Sequence, residues 1–223
     1  MVLRLFNTMS KKKKVFKPLK GKKVMMFVCG QTVYDDAHLG HAKNYVNADV
    51  TARFLRYLGY KLHYIQNITD VDDKIINRAM ERGEHPLKLA ENFTKRFFED
   101  MEHLKVKETV DEYPKSTDYI PQIVDQIKIL LKKGYAYVVD SDIYFDVSKF
   151  KDYTKLSRMK LEDLKNHRIE PDQRKRNTYD FSLWKSAKPG ELSWESPYGP
   201  GRPGWHIEDT AITVTIFGPQ YDI

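Results

Sequence analysis

The sequence predicts an α/β fold organised on a parallel sheet, and three observations predict it. An apolar run, Val24-Met25-Met26-Phe27-Val28, is short enough to be a buried strand and ends abruptly at Cys29-Gly30. After His38-Leu39-Gly40-His41 a helical pattern begins, with Val46, Val50, Phe54 and Leu58 at four-residue spacing on one face, and it stops at Gly59. A second strand follows in Leu62-His63-Tyr64-Ile65-Gln66, rich in β-branched and aromatic residues. Strand, helix, strand implies a right-handed crossover between parallel neighbours. Open sheets of this kind bind ligands beyond the carboxyl ends of their strands, so Cys29 and the Asn67-Ile68-Thr69-Asp70 turn are expected on one crevice.

The remaining elements follow in order. Residues 1–23 carry a short apolar segment, then lysines, then Val15-Phe16-Lys17-Pro18-Leu19, and read as a pair of short strands feeding the first core strand; Lys11 to Lys14 reads as a solvated loop. Asp70, Asp72 and Asp73 precede a helix and suit its N-terminus as capping carboxylates, the expected role for Asp72 and Asp73. Ile75, Ile76, Ala79 and Met80 mark that helix, ended by Gly83, and Ala90, Phe93, Phe97, Met101 and Leu104 mark a second. A polar stretch from Lys105 to Thr117 suggests a boundary. A third helix carries Ile120, Ile123, Val124, Ile127 and Leu130 up to Gly134. Tyr135 to Val139 and Ile143 to Val147 flank an Asp-Ser-Asp turn, a β-hairpin. From Ser148 to Asn177 the pattern is that of loops around the hairpin, with Arg174, Lys175 and Arg176 either solvated or facing a polyanion. Thr210 to Ile216 reads as a strand by propensity.

Composition bounds the function. The chain has 223 residues, 41% of them hydrophobic, enough for a proper core. No apolar run is long enough to cross a bilayer, and the apolar N-terminus is too short for a signal-peptide core, so export and membrane partners are not expected. One cysteine forbids an intrachain disulfide, in keeping with a reducing compartment and an expected cytoplasmic location. A net charge of +7 suits a polyanionic partner. His38 and His41 sit where a strand hands over to a helix, whose N-terminus presents unpaired N–H groups to anions. Phosphate is the natural guest there, with two imidazole donors and the close backbone approach that Gly40 permits.

These residues carry a resemblance. Phe27-Val28-Cys29-Gly30-Gln31-Thr32-Val33-Tyr34-Asp35 followed by His38-Leu39-Gly40-His41 resembles the cysteinyl-tRNA synthetase family, and the His-x-Gly-His element resembles the first signature of class I aminoacyl-tRNA synthetases. Three further blocks match in the same order: Leu58 to Lys61 running into Asn67-Ile68-Thr69-Asp70-Val71-Asp72-Asp73-Lys74, then Asp180 to Lys185, then Gly201-Arg202-Pro203-Gly204-Trp205-His206-Ile207-Glu208. Thr8-Met9-Ser10-Lys11-Lys12 has the look of that class's lysine loop but precedes the histidine motif, and is read as coincidence.

The resemblance implies a Rossmann-like parallel sheet split by an α+β connective insertion. Residues 1–114 would form the first part of the nucleotide-binding domain, 115–200 the insertion, and 201–223 the start of the second part. It makes the Thr210 to Ile216 run a helix beside the active site rather than a strand. It implies ATP-dependent activation of L-cysteine and transfer to the 3′ end of cysteine tRNA by a monomer, with Mg²⁺ accompanying ATP. His38 and His41 would be catalytic, with Thr32 and Gly40 beside them at the nucleotide; Cys29, Gly30, Thr69 and Trp205 would surround the substrate cysteine. Discrimination against serine would come from a zinc ion, which strongly prefers sulfur.

Cys29 matches one zinc ligand of that family, but Asp209 stands where the common pattern has a second cysteine. An aspartate oxygen can ligate zinc, so either Asp209 does so or the metal is weakly held or absent. The family's other zinc ligands and its lysine loop would lie beyond Ile223, so this stretch alone is expected to be poorly active. Two other functions stay open: a ligase joining cysteine to an amino sugar, and a non-catalytic module binding nucleotide or RNA.

Overall fold

The structure, a computed structural model, describes residues 2–160 and 172–223. Two strands, β1 (Arg4–Asn7) and β2 (Lys12–Val15), pair antiparallel as expected, and the Thr8 to Lys11 run makes their turn. The lysines are exposed, but Lys12 to Lys14 are strand rather than loop. The centre of the molecule is β3 (Lys23–Val28) and β4 (Lys61–Gln66), paired parallel in register from Lys23↔Lys61 to Val28↔Gln66, with helix α1 (Leu39–Tyr57) as the crossover. The predicted strand-helix-strand unit is present.

The apolar stripe on α1 shares a face, but that face is the outer one: Val46, Val50 and Phe54 are 37%, 61% and 37% exposed. The inner face is Tyr45, Ala48, Asp49, Ala52 and Leu55. Small residues let the helix lie close on the sheet, where Ala48 and Ala52 pack with Met26 and Tyr64. Asp49 is tolerated inside because Arg53 binds it at 2.8 Å and the Thr109 hydroxyl donates to it.

Helix α2 (Asp73–Arg82) starts from an Asp72 N-cap, whose carboxylate accepts the Lys74 N–H, and stops at Gly83 in the left-handed conformation. Met80 is exposed, unlike its partners Ile75, Ile76 and Ala79. Helix α3 (Pro86–His103) buries Leu89, Ala90, Phe93, Phe97 and Met101, so most of the predicted apolar face is the core here, while Leu104, just past the helix end, is exposed. The polar stretch expected as a boundary is hydrogen-bonded to β4 instead. Asp111 N–H donates to Tyr64 O at 2.8 Å, Gln66 N–H to Glu112 O at 3.0 Å, and Ile68 N–H to Pro114 O at 2.8 Å. Polar side chains add to these backbone bonds, the Asp111 carboxylate accepting the Tyr64 N–H at 2.7 Å and the Ser116 hydroxyl donating to Ile68 O at 3.2 Å.

Beyond it, α4 (Ile120–Lys132) leads to a four-stranded antiparallel sheet in the order β5 (Ala136–Val139), β6 (Asp142–Phe145), β7 (Phe181–Ser186), β8 (Gly201–Pro203). The predicted hairpin is β5–β6, closed by Asp140 and Ser141 with φ of 49° and 74°. Positive φ at both central residues matches the right-handed twist of the strands. Helix α5 (Ile207–Phe217) packs on α4, and Ile120, Ile123, Ile127, Leu183, Trp184, Ile207 and Ala211 share one core. The threonine-rich run is thus helical. The hydroxyls of Thr210, Thr213 and Thr215 bond to Ile207, Asp209 and Ala211 carbonyls within the preceding turn, at 3.0, 2.8 and 2.7 Å, which suits β-branched residues to a buried helix.

Of the expected loops, Tyr153 lies against Phe145 and Phe181, while 161–171 fall outside the described residues. Arg174 is bound to Asp142 and Asp172 at 2.7 and 2.8 Å, and Arg176 lies 4.2 Å over the Tyr137 ring, so both serve to fold this loop on the hairpin.

Candidate active site

A cleft of about 660 Å³ opens between the carboxyl ends of β3 and β4, the start of α5 and the edge of the antiparallel sheet. Cys29, Thr32, Thr69, Trp205 and Glu208 line it, as does Lys74 of α2. The two predicted turns do converge: Thr32 and Thr69 bridge in parallel, with Thr69 N–H on Gln31 O at 3.1 Å and Val33 N–H on Thr69 O at 3.2 Å.

Gly30 has no room for a side chain, since a Cβ would fall 1.6 Å from the Asn67 carbonyl oxygen. Its N–H donates to Asn67 Oδ1 at 2.7 Å. Cys29 reaches solvent through the cleft, yet protein surrounds the sulfur on its other sides. That burial, then the Asp209 and Glu208 carboxylates, pushes its thiol up to about 12, so it is protonated at neutral pH, and it donates to the Gly30 carbonyl at 3.7 Å.

Asp209 is held on both oxygens. Asn67 Nδ2 donates to Oδ1 at 2.9 Å, and His206 Nδ1 donates to Oδ2 at 2.8 Å. His206 itself has φ 60°, a left-handed backbone uncommon outside glycine and frequent at functional sites. The Trp205 ring lies tilted against the His206 ring, centroids 4.8 Å apart, and stands half-exposed to the cleft. Glu208 is buried, and among the described residues its Oε2 has no partner. Burial, then the neighbouring Asp209, raises its carboxyl well above the ordinary value.

His38 and His41 are not among the residues lining this cleft; they stand beside it at the N-terminus of α1. His38 Nδ1 accepts the Gly40 N–H at 3.0 Å and His41 Nδ1 accepts the His38 N–H at 3.2 Å, a reciprocal capping box made of imidazoles. Both rings therefore carry their proton on Nε2 when neutral. They stack at 3.9 Å, and Gly40 is required because a Cβ there would meet the His38 ring at 2.8 Å. Burial, then His38 and Lys74, lower the pKa of His41, favouring the neutral donor. His41 in turn stacks on Tyr45, which is buried in the core beneath it.

Sequence reasoning passed over Asn67, His206 and Glu208, although all lie inside the matched blocks. It also assigned Asp73 to helix capping, whereas Asp73 binds Lys185 and Arg202 across the cleft. No local pattern signals that pairing, because the partners are 112 and 129 residues away.

For a metal, the donor chemistry present is a thiol, an imidazole and two carboxylates. Ligand atoms of His206, Glu208 and Asp209 lie within 4.8 Å of one another, while the Cys29 thiol lies outside that group and donates to the Gly30 carbonyl at 3.7 Å. That set fits zinc in donor type and number.

Two solved structures share the fold, both methionyl-tRNA synthetase of Mycobacterium tuberculosis with methionyl-adenylate. They superpose with TM-scores of 0.66 and 0.61 at 16% and 15% identity, each over 87% of this chain and 47% of theirs. The fold is that of a class I aminoacyl-tRNA synthetase catalytic domain. Within that class, a model of the tRNA synthetases class I (C) catalytic domain matches residues 15–223, and the chain belongs to this family. Among its relatives are proteins named cysteine-tRNA ligase from Thermococcus kodakarensis (52% identical), Pyrococcus horikoshii (53%) and Methanococcus maripaludis (50%). Each match takes in 100% of this chain and 47% of the relative, so the chain spans about half the length of the curated relatives it matches.

Proposed function

We propose that this chain carries the cysteine-activating half of a cysteine-tRNA ligase. The carboxylate of L-cysteine attacks the α-phosphate of ATP, pyrophosphate leaves, and the cysteinyl group of the adenylate passes to the 3′ end of cysteine tRNA. The observation that carries the reading is the meeting of Cys29, Thr69 and Trp205 in one cleft, beside a helix N-terminus that holds two imidazoles. Relatives half-identical over the whole chain and named for this activity support it. They lend no support to an amino-sugar ligase or a non-catalytic module.

Phosphoryl chemistry of this kind needs alignment and charge stabilisation more than a covalent protein group. The Nε2–H groups of His38 and His41 are the free faces of the capping box, and they donate to negative charge developing on the phosphates. One such donor is worth roughly 3 kcal/mol in a transition state. Thr32 and Gly40 lie with them at the nucleotide, and Mg²⁺ arrives on the phosphate oxygens of ATP.

Cys29, Gly30, Thr69 and Trp205 form the amino-acid side. Zinc would be held by Cys29 and Asp209, with His206 and Glu208 able to complete the set. When bound, it takes the substrate thiolate as a ligand, which a hydroxyl does poorly. Asp209 and Asn67 orient the Cys29 corner, and the Trp205 indole closes the side of the cleft.

The division into 1–114, 115–200 and 201–223 is part of the reading, supported by the antiparallel sheet to which the middle segment gives β5, β6 and β7, with β8 opening the last segment. So are a cytoplasmic location and a monomeric state; no described helix is long and apolar enough to cross a membrane. The test is cysteine-dependent ATP-pyrophosphate exchange, run on the full natural chain and on these 223 residues. Exchange is expected from the full chain and little from the shorter one. Exchange driven equally by serine, or none from the full chain, would end the reading.

A further inference from the structure

Asn67 stands at the carboxyl end of β4, completely buried, and its amide is shared among three segments. Oδ1 accepts the Gly30 N–H at 2.7 Å; Nδ2 donates to Asp209 Oδ1 at 2.9 Å and to the Thr69 hydroxyl at 3.3 Å. Gly30 and Asp209 are 37 and 142 residues away in the chain, so one side chain ties together the end of β3, the turn after β4 and the first turn of α5.

The two ends of the amide meet partners of opposite kind. Gly30 offers a donor and the Asp209 carboxylate only acceptors, so a single orientation of the amide satisfies both. An aspartate here would keep the bond to Gly30 and set carboxylate against carboxylate, while an apolar residue would leave a buried donor and acceptor unpaired. With His206 on the other oxygen, Asp209 is gripped from both sides, and the same Asn67 amide holds the backbone of Gly30, next to Cys29.

We propose that Asn67 is a positioning residue for recognition of the substrate side chain. It fixes the separation between Asp209 and the Cys29-Gly30 corner and touches no substrate itself. The inference rests on the reading of this cleft as the cysteine pocket. It makes residue 67 matter to the amino acid and not to the nucleotide, because His38 and His41 are held by their own capping bonds.

Asn67→Ala and Asn67→Asp in the full natural chain test it through cysteine-dependent ATP-pyrophosphate exchange. Loss of a hydrogen bond to a charged group is worth about a factor of ten, so the KM for cysteine is expected to rise about tenfold in each variant. The KM for ATP is expected to stay within about twofold, in line with the separate anchoring of the histidines. A purely structural role would move both KM values together or lower only the melting temperature, and either result overturns the proposal, as does an unchanged KM for cysteine. Should the alanine variant fail to fold, the smaller but still polar Asn67→Ser replaces it.

A second readout stands apart from catalysis. Cys29 is the only cysteine of the 223 residues, and its alkylation by iodoacetamide, followed on the peptide that carries it, reports this corner. Asn67→Ala is expected to raise the rate about fivefold with the melting temperature recorded alongside. An unchanged rate overturns the positioning role. A raised rate in a protein whose wild type lacks cysteine-dependent exchange overturns the substrate assignment and upholds Asn67 as what fixes the corner.

Discussion

Arg202 reaches across the cleft to Asp73, Nη2 to Oδ1 at 2.8 Å. Lys185, its register partner in the β7–β8 ladder, binds the other oxygen of the same carboxylate. Arg202 Nη1 meanwhile holds Glu191 at 3.0 Å. An antiparallel ladder sets two cations side by side, and both converge on the first residue of α2. The antiparallel sheet is thereby tied to the half of the molecule built on the parallel strands.

Asp73→Asn is therefore expected to lower stability by about 1–2 kcal/mol at neutral pH, less than a fully buried pair because the carboxylate is 32% exposed. Burial would push the Asp73 carboxyl up, but the bonds and charges of Lys185 and Arg202 outweigh it and hold it below the ordinary value. The folded pKa lies under the unfolded one. The stabilisation is thus complete above the ordinary carboxylate range and vanishes as the pH falls through the folded pKa. Urea melts of the two proteins at pH 7 and near pH 3 are expected to differ at the first and approach one another at the second.

Each imidazole at the start of α1 has, on the proposed reading, a double duty that single substitutions separate. His38→Ala removes the N-cap acceptor of α1 and is expected to cost about 1 kcal/mol of stability, besides lowering kcat of the full natural chain about 10²–10³-fold. His38→Asn keeps a capping side chain but not an imidazole Nε2–H, so stability is expected to return while kcat stays low. Thermal melts beside pyrophosphate exchange check both halves; recovery of kcat with the cap would remove His38 from the chemistry.

How much of this was legible in the sequence depends on whether a feature is local. The β3-α1-β4 unit, the β5–β6 hairpin and the core faces of α2 and α3 are written in periodicity and turn residues within a few positions, and they are found where expected. The outward stripe of α1 misled because packing followed the small residues Ala48 and Ala52 rather than the large ones. The strip beside β4 stayed hidden because an edge strand held by backbone bonds needs no apolar pattern. Motif residues gave the cleft, but the roles of Asn67 and Asp73 lie in bonds to partners over a hundred residues away, which no local pattern encodes.

Restoring the softer donor at position 209 gives a direct test of the metal site. Asp209→Cys is expected to tighten zinc binding by at least about tenfold, the scale on which ligand-shell changes act. The metal-free variant is expected to be less stable by about 1–2 kcal/mol, since Asn67 Nδ2 loses a charged acceptor. Co²⁺ titration distinguishes the two proteins, because a second thiolate strengthens the sulfur-to-metal charge-transfer absorption. Identical spectra would mean that residue 209 is not a ligand.

Glu208 is the costliest group in the cleft wall, a buried carboxyl whose Oε2 has no partner among the described residues. Burial and the nearby Asp209 raise its folded pKa above the unfolded value, so folding favours its protonated form. The sign is opposite to that of Asp73: no penalty exists below the ordinary carboxylate range, and one builds as the pH rises and the unfolded chain ionises first. Glu208→Gln, which keeps the shape and removes the charge, is expected to raise Tm at pH 7 by roughly 2–4 °C, the shift that about 1 kcal/mol gives in a chain of this size. At pH 4 the two proteins are expected to melt together. If the carboxylate is retained for a cation, the gain at pH 7 reverses on adding Zn²⁺, because the variant then offers one charged ligand fewer than the wild type; melting curves with and without the metal read that reversal directly.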